Sequence, residues 1–458
     1  MKKIFIVLFL FVFFKSNAQY TSIPDTDFEL ELINQGIDTN PNLDGKVLTS
    51  SISSITNLII YYNNLHNLIG IENFTSLQNL FVSNCVNLTT LDLSGNPNLI
   101  NLECYNNSLN NINISNNVLL GNINCMNNNL MTLNVSNNIN LSSIVCMNNN
   151  LSVLDVFQNI NLIILYCGNN NINSLDVSNN NNLDELFCYN NQITTLNISN
   201  KPLLQLISCN NNLLSSLYVS NLPKLVRIHC ENNQLTVLNT NNIPTIKNLF
   251  CSNNLFTTLD LSNNLQLTSL FCNNNNNLIN LNLDNNSLLN ILECKNNLNL
   301  SNFSIQNGSN TLLNGTFTIP GVIPLTNNNR FQSLNNPNLQ CIFVNDVSNC
   351  NNNWLGKDVT SNYVTTQQEC NNLNVETFEK NTLKIFPNPT SDFLNVSLGH
   401  ETLKNSKIEI HSIQGVLIYS QHTKTENLKI NVEKFSKGVY ILSIEKNGAL
   451  LISKFIVQ

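Results

Sequence analysis

Apolar and polar positions repeat in one frame through the middle of the chain. In each copy, alternate residues of a short segment are apolar, which is the pattern of a strand with one buried face. Two copies read Leu99-x-x-Leu102-x-Cys104-x-Asn106-Asn107-x-Leu109 and Leu183-x-x-Leu186-x-Cys188-x-Asn190-Asn191-x-Ile193. A single copy cannot bury its apolar edge alone, so the frame predicts stacked coils that share a core and a parallel sheet.

Ten cysteines mark this frame, nine at successive intervals of 21 residues and the last after 22. This thiol ladder consists of Cys104, Cys125, Cys146, Cys167, Cys188, Cys209, Cys230, Cys251, Cys272 and Cys294. Ile60 and Val82 stand at the same place in two earlier copies. The repeat therefore spans residues 55–300 and predicts about twelve coils of 21–22 residues, a stack on the order of 55 Å long.

Asparagine is abundant because the frame uses it in pairs. About a hundred of the 458 residues are Asn, against 14 Gly and 11 Pro. We expect the second Asn of each pair to lie in the turn that ends the strand, to bond backbone groups there and to accept left-handed backbone. These second residues are Asn107, Asn128, Asn149, Asn170, Asn191, Asn212, Asn233 and Asn254. Low-complexity disorder is the alternative interpretation.

The frame resembles the leucine-rich repeats of internalin J and related bacterial surface proteins, in which stacked cysteines replace a strand leucine. The resemblance covers about half of the chain. It implies a mainly β fold, a leucine-rich-repeat solenoid with a parallel sheet, and a role as an adhesin or binding protein and not as an enzyme.

The ladder cysteines are expected to be buried free thiols. Equivalent positions on adjacent strands lie ~4.8 Å apart, whereas the Cβ atoms of a disulfide prefer ~3.8 Å. Zinc is not expected, because the spacing lacks Cys-x-x-Cys pairs with His partners. Cys341, Cys350 and Cys370 lie outside the repeat, and one disulfide is expected among them. We favour Cys341 with Cys370, although sequence alone leaves the connectivity open.

Both ends of the solenoid need caps. Residues 19–54 predict an N-terminal cap with a helix over Pro24–Gln35, started by a capping box of Thr26 and Glu29. Residues 301–375 predict an irregular C-terminal cap around the single Trp354. The stretch from Asn40 to Gly45 is similar to the start of a calcium loop, but the Glu that such a loop needs later is absent, so a plain turn is favoured.

The start of the chain predicts a signal peptide over residues 1–18. Two lysines precede an apolar run over residues 4–14, and the small residues Ser16 and Ala18 precede the expected cleavage point. An apolar run of this length is too short to span a bilayer, and no later stretch is long enough. The mature chain is therefore expected to lack a transmembrane segment.

Residues 376–458 predict a separate domain. This segment holds ten of the 21 basic residues and reads as short alternating strands, which suggests a small immunoglobulin-like β-sandwich. It resembles the type A C-terminal sorting domain of the type IX secretion system, with motif residues Pro387, Asn388, Pro389, Gly438 and Tyr440. The resemblance implies contact with the secretion machinery, export across an outer membrane, and release or attachment to surface lipopolysaccharide.

The residues flanking each ladder cysteine are expected to point away from the core and to form an exposed sheet face. Several are aromatic or methionine, which is typical of an interaction site. The hypothesis is a ligand-binding surface made of Met126, Met147, Tyr166, Phe187, Tyr189, Phe250 and Phe271. The alternative is that aromatic residues simply favour a pleated sheet.

Catalysis is not predicted. Ser208, His229 and Glu231 lie close in register, but an open sheet offers no water-excluding pocket and no evident oxyanion donor. Asp155 and Asp176 are interpreted as exposed turn carboxylates. The net charge of −7 excludes a nucleic-acid binder. The predicted function is therefore a secreted or surface-attached protein, without cofactor or metal, that recognises a protein or glycan on another surface. The alternative is a structural spacer without a specific ligand.

Overall fold

A computed structural model describes residues 19–61, 64–317, 328–374, 383–398, 402–446 and 449–458. The predicted signal peptide lies outside these residues. The chain divides into two units, Met1–Thr366 and Gln367–Gln458. Its α-helices in the described ranges are short and cover Thr26–Asn34, Thr49–Ile52, Val347–Asn353 and Gln367–Asn374. Single 3-10 turns cover Ile71–Asn73 and Asn310–Leu313.

A parallel sheet of fourteen strands runs through the first unit. Each strand pairs with its equivalent one coil away, as in Leu165 with Leu186, so side chains at one position of the frame form a column along the sheet. The strands are Asn57–Tyr61, Asn79–Ser83, Asn101–Glu103, Asn122–Asn124, Ser143–Val145, Ile164–Tyr166, Glu185–Phe187, Leu206–Ser208, Arg227–His229, Asn248–Phe250, Ser269–Phe271, Ile291–Glu293, Phe331–Ser333 and Gly356–Lys357. This confirms the predicted leucine-rich-repeat solenoid.

The second segment of some coils forms shorter parallel sheets. One pairs Thr90–Asp92 with Asn111–Asn113, and another pairs Thr195–Asn197 with Ser216–Tyr218. A third contains Asn280–Asn282, Asn302–Ile305, Cys341–Val344 and Asn362–Val364. Leucines and isoleucines from both segments of the coils enter one continuous core with the ladder cysteines.

The N-terminal cap contains the expected helix, but its capping differs from the prediction. Asp25, and not Thr26, caps the helix by accepting the N–H groups of Asp27 and Phe28. Glu29 is buried and accepts three N–H groups of the chain at 44–46 instead of closing a capping box. Strands Tyr20–Ser22 and Lys46–Leu48 pair antiparallel beside it.

The segment predicted as an irregular C-terminal cap contains two further strands of the main sheet. In the first, Ser333 takes the position of a ladder cysteine, and Asn335 and Asn336 take the Asn pair. The frame was missed because serine replaces cysteine and an insertion breaks the spacing. Asp358 ends the stack by accepting the N–H groups of Asn335 and Asn336 at 2.8 and 2.7 Å. A small antiparallel pair, Thr316–Phe317 with Asn328–Asn329, flanks the insertion.

The second unit contains two antiparallel sheets. The three-stranded sheet has the order Leu383–Phe386, Phe393–Leu398, Leu428–Asn431. The four-stranded sheet has the order Leu417–Thr423, Ser406–Ser412, Gly438–Lys446, Ala449–Val457. Apolar residues from both sheets form a separate core. The predicted β character of this domain is confirmed.

Candidate ligand-binding face

The second Asn of each pair holds neighbouring coils in register. Asn170 donates from Nδ2 to the carbonyls of Cys146 and Cys167 at 3.0 and 3.1 Å, and its Oδ1 accepts the N–H of Leu151 at 3.0 Å. All these groups are buried, so each bond removes a desolvation cost of about 1–3 kcal/mol that an unpaired group would carry. The structure thus shows the second Asn bonding backbone groups at the turn, as expected.

The first Asn of the pair, and not the second, adopts the left-handed backbone. Asn106 and Asn190, for example, have φ of 55° and 51°. Asparagine reaches this region at less cost than other residues with a Cβ atom. The two members of the pair therefore have different roles. The first Asn adopts the left-handed backbone of the turn, and the second Asn forms hydrogen bonds with the backbone there.

The thiol ladder is buried and free along its whole length. Burial raises the pKa of Cys125, Cys167 and Cys294 to about 12, because the thiolate would lose its hydration. Ile60 and Val82 are buried at the same position. Cys85, to which no role is assigned, is also a buried thiol, and it stands where later coils have the second Asn. Cys341 and Cys370 are disulfide-bonded.

The side chains on either side of each ladder cysteine lie on the opposite face of the main sheet, here called the outer face. Tyr166 and Phe187 are paired in register and stack with ring centroids 4.3 Å apart and planes 8° apart. The phenol of Tyr166 donates to the Glu185 carboxylate in the next coil. Desolvation is the main cause that raises the pKa of Tyr166, and the Glu185 carboxylate is the second cause. The phenol therefore stays protonated.

A second stack on the same column contains three rings. His229 and Phe250 lie 4.1 Å apart at 8°, and Phe250 and Phe271 lie 4.7 Å apart at 10°. The sheet register makes these contacts unavoidable, because the three residues pair directly on adjacent strands. The rings cover one another's faces and present their edges outward.

The neighbouring column brings Tyr189 and Met147 together across Gly168. The Tyr189 hydroxyl lies 3.5 Å from the Met147 sulfur, two coils away. A Cβ atom at Gly168 would lie 2.8 Å from the Tyr189 ring, so only glycine lets the ring lie flat there. Met126 is half-buried one coil beyond Met147. The ligand-binding surface predicted from the sequence included Tyr189 and Met147 but not Gly168. A glycine in a column where other coils carry larger side chains is the sequence feature that could have indicated it.

Polar residues flank the part of the outer face that carries the two ring stacks. Asn124 donates to Glu103 at 2.8 Å, and desolvation raises the pKa of that carboxyl group. At the other end, Glu293 lies 3.1 Å from the Lys295 ammonium and accepts from Asn273 at 3.0 Å. Beyond Glu103 the same column continues with Phe81 and Ile59, so these polar residues separate the two ring stacks from a further apolar stretch.

The possible hydrolytic residues are engaged elsewhere. The Ser208 hydroxyl donates to Asn210 at 2.7 Å, and His229 Nδ1 lies 3.3 Å from Glu231 while its ring stacks on Phe250. These contacts do not form a serine–histidine relay.

The carboxylates and the suspected calcium stretch serve turns. Asp155 and Asp176 accept the N–H two residues on, as expected for exposed turns. In the calcium-like stretch, Asn40 donates its amide to Asp44 and the Lys46 ammonium lies 3.4 Å from the same carboxylate, so donors occupy the place of a cation. Within the described ranges, no group of three or more His, Cys, Asp or Glu side chains is placed to hold a metal.

The motif residues of the C-terminal unit tie its first loop to its last strand. Asn388 accepts the N–H of Ile456 at 2.9 Å and donates to the Lys454 carbonyl at 3.1 Å. Tyr440 is buried, donates its hydroxyl to the Ser436 carbonyl at 2.8 Å, and packs on a neighbouring phenylalanine. Gly438 opens the same strand, and Pro387 and Pro389 flank Asn388.

Comparison with known proteins matches a family to the C-terminal unit and finds solved structures with a similar fold. Residues 384–458 match the family described as "Secretion system C-terminal sorting domain". The functional domain of InlJ from Listeria monocytogenes, which includes a cysteine ladder, aligns over 96% of this chain and 99% of its own with 20% identity and a TM-score of 0.53. An internalin, InlF, from the same organism aligns over 54% of this chain and 89% of its own with 22% identity and a TM-score of 0.36.

A partial sequence match reaches a protein of another kind. Ulvan lyase NLR42 from Nonlabens ulvanivorans is 27% identical over 124 residues, which is 27% of this chain and 22% of the lyase. The chain thus matches under a quarter of that relative's length.

The fold and the matched tail define a cysteine-ladder leucine-rich-repeat protein with a type IX sorting domain. The sorting domain indicates secretion or attachment at the outer surface, and it implies contact with the secretion machinery. Among the described residues, no helix has the length and apolar character needed to cross a bilayer.

Proposed function

We propose that this protein recognises a ligand on another surface through the outer face of its main sheet. The observation that carries the proposal is the two ring stacks on this face, Tyr166 with Phe187 and His229 with Phe250 and Phe271. Aromatic residues at the centre of an exposed patch are typical of binding hot spots, where loss of one side chain costs about 2 kcal/mol or more.

The ring geometry favours a protein ligand over a glycan. A sugar that stacks on an aromatic residue needs an open ring face, whereas within each stack the rings cover one another's faces. The faces of Phe187 and His229 that point towards Ser208 stay open, and that space is as wide as one planar ring. Ring edges and Met147 suit the apolar side chains of a protein partner. The partial match to an ulvan lyase supports keeping a polysaccharide among the tested ligands.

The test compares ligand capture by the wild-type chain and by a Phe187→Ser, Tyr189→Ser double variant. Both are applied to a surface-protein panel and to a glycan array that includes ulvan. The control carries Met131→Ser and Val153→Ser, which remove exposed apolar side chains at the coil positions between the strands.

We expect the double variant to bind at least about tenfold more weakly and the control to bind normally, with unchanged thermal unfolding in both. If the double variant captured the ligand as well as the control variant, the outer face would not be the ligand-binding surface. No capture by the wild-type chain on either panel would favour the structural spacer.

A further inference from the structure

The ring column on the outer face has one position without a ring. In register, Phe187 pairs with Ser208, and Ser208 pairs with His229. Rings occupy the column on both sides of this serine. Ser208 therefore separates two stacks that would otherwise be continuous.

The missing ring leaves a space of defined width. Phe187 and His229 are two strand spacings apart, about 9.6 Å at ~4.8 Å per strand. Rings already stacked in this column are 4.1–4.7 Å apart. One further planar ring, placed midway, would contact both neighbours at the distance the column already uses.

The floor and one edge of the space are polar. Ser208 is half-buried and its hydroxyl is already bonded to Asn210 at 2.7 Å, so the floor is small and satisfied. Glu185 lies in the coil after Tyr166 and in the adjacent column of the sheet. Arg227 is exposed and lies at the same offset from Ser208, in the coil after it and in that same adjacent column. Since Tyr166 and Glu185 meet across this same offset, the long Arg227 side chain is within reach of a polar group that enters the space.

We infer that the space between Phe187 and His229 is a slot for one tyrosine side chain of a protein ligand. The ring completes the stack, and its phenolic oxygen accepts from the Arg227 guanidinium, a charged donor at the slot's edge. This inference rests on the proposed function and adds the chemical class of the ligand's anchoring residue.

The test uses N-acetyltyrosinamide as the probe and N-acetylleucinamide as its aliphatic control. The readout is the imidazole NMR signals of His229 in the full chain, because a ring stacked on His229 shifts them upfield. A compound of this size is expected to bind weakly, with a Kd on the order of 1 mM.

Three variants separate slot filling from general disturbance. Ser208→Phe supplies the missing ring from the protein itself and should weaken probe binding at least about tenfold. Ser208→Ala keeps the slot open and should bind within about twofold of wild type. Arg227→Gln should remove the preference for the tyrosine probe over N-acetylphenylalaninamide.

An upfield shift from the tyrosine probe, lost in Ser208→Phe and kept in Ser208→Ala, supports the slot. The same shift with the leucine probe, its persistence in Ser208→Phe, or its absence from wild type at 20-fold the expected Kd (about 20 mM) overturns it. Continued ligand capture through Phe187 and Tyr189 would then show that the slot has failed and the proposed function has not.

Discussion

Asn128 donates its side-chain amide to the carbonyl of Cys104 in the preceding coil over 2.9 Å. The same amide donates to Cys125 in its own coil at 3.0 Å, and its Oδ1 accepts the N–H of Leu109 at 2.9 Å. One side chain thus satisfies three buried backbone groups. This contact recurs from coil to coil, for example at Asn149 and Asn191.

Replacing Asn128 by alanine should lower the free energy of unfolding by on the order of 3 kcal/mol, because three buried backbone groups lose their partner. Urea unfolding followed by circular dichroism measures this. Asn129→Ala, next to it but exposed, is the matched control and should change the midpoint little. A loss of less than 1 kcal/mol at Asn128 would mean that water replaces the amide.

Asn148 should tolerate glycine better than alanine. Its φ of 56° is left-handed, where a Cβ atom is costly and glycine is free. We expect Asn148→Ala to be about 1 kcal/mol less stable than Asn148→Gly, the reverse of the usual order in regular structure. Thermal unfolding of the two variants measures this difference. If the alanine variant were the more stable, the left-handed backbone at Asn148 would be contradicted.

The buried thiols should make the protein sensitive to alkaline pH. An unfolded thiol ionises near pH 8.5, whereas burial raises the pKa of Cys125 and Cys167 to about 12. The folded state therefore keeps protons that the unfolded state releases, so stability falls as pH rises above about 8.5 and continues to fall towards 12. Urea midpoints between pH 7 and 10 measure the slope, which Cys125→Val with Cys167→Val should reduce.

Thiol counting gives an independent check on the ladder. Twelve cysteines are buried thiols. Ellman's reagent should find almost none in the native protein and about twelve after unfolding without reductant. Two or fewer after unfolding would mean that the ladder is oxidised in pairs, which the strand spacing opposes.

Lys201→Leu should stabilise the protein. Lys201 is fully buried at a coil position where most coils carry a buried Asn, and its ammonium donates to the Ser178 carbonyl and to Asn181. Desolvation lowers the pKa of this lysine. Leu222, buried at the same position in the next coil, shows that the site accepts an apolar side chain.

We expect a gain of about 1 kcal/mol or more at pH 7 from removing this buried charge. Thermal unfolding measures it, with Lys224→Leu, at an exposed site of the next coil, as the control. A loss of stability would show that the two hydrogen bonds outweigh the cost of burying the ammonium.

Regular spacing made most of the coils predictable. The ten ladder cysteines, together with Ile60 and Val82 at the same position of the frame, located twelve of the fourteen main-sheet strands, because stacked coils repeat their core contacts. It failed at Ser333, where both the spacing and the cysteine are lost. Local capping was also misjudged at Thr26, since Asp25 offers a stronger acceptor one residue earlier.

The coil period, the buried position of the thiols and the nature of the C-terminal domain can be read from the sequence, because each depends on a local pattern of residues. The fold was needed to show which rings lie face to face, that Gly168 makes room for Tyr189, and that Ser208 leaves a gap between Phe187 and His229. Those relationships arise from pairing between coils 21 residues apart, and their distances are fixed by the sheet and not by the chain.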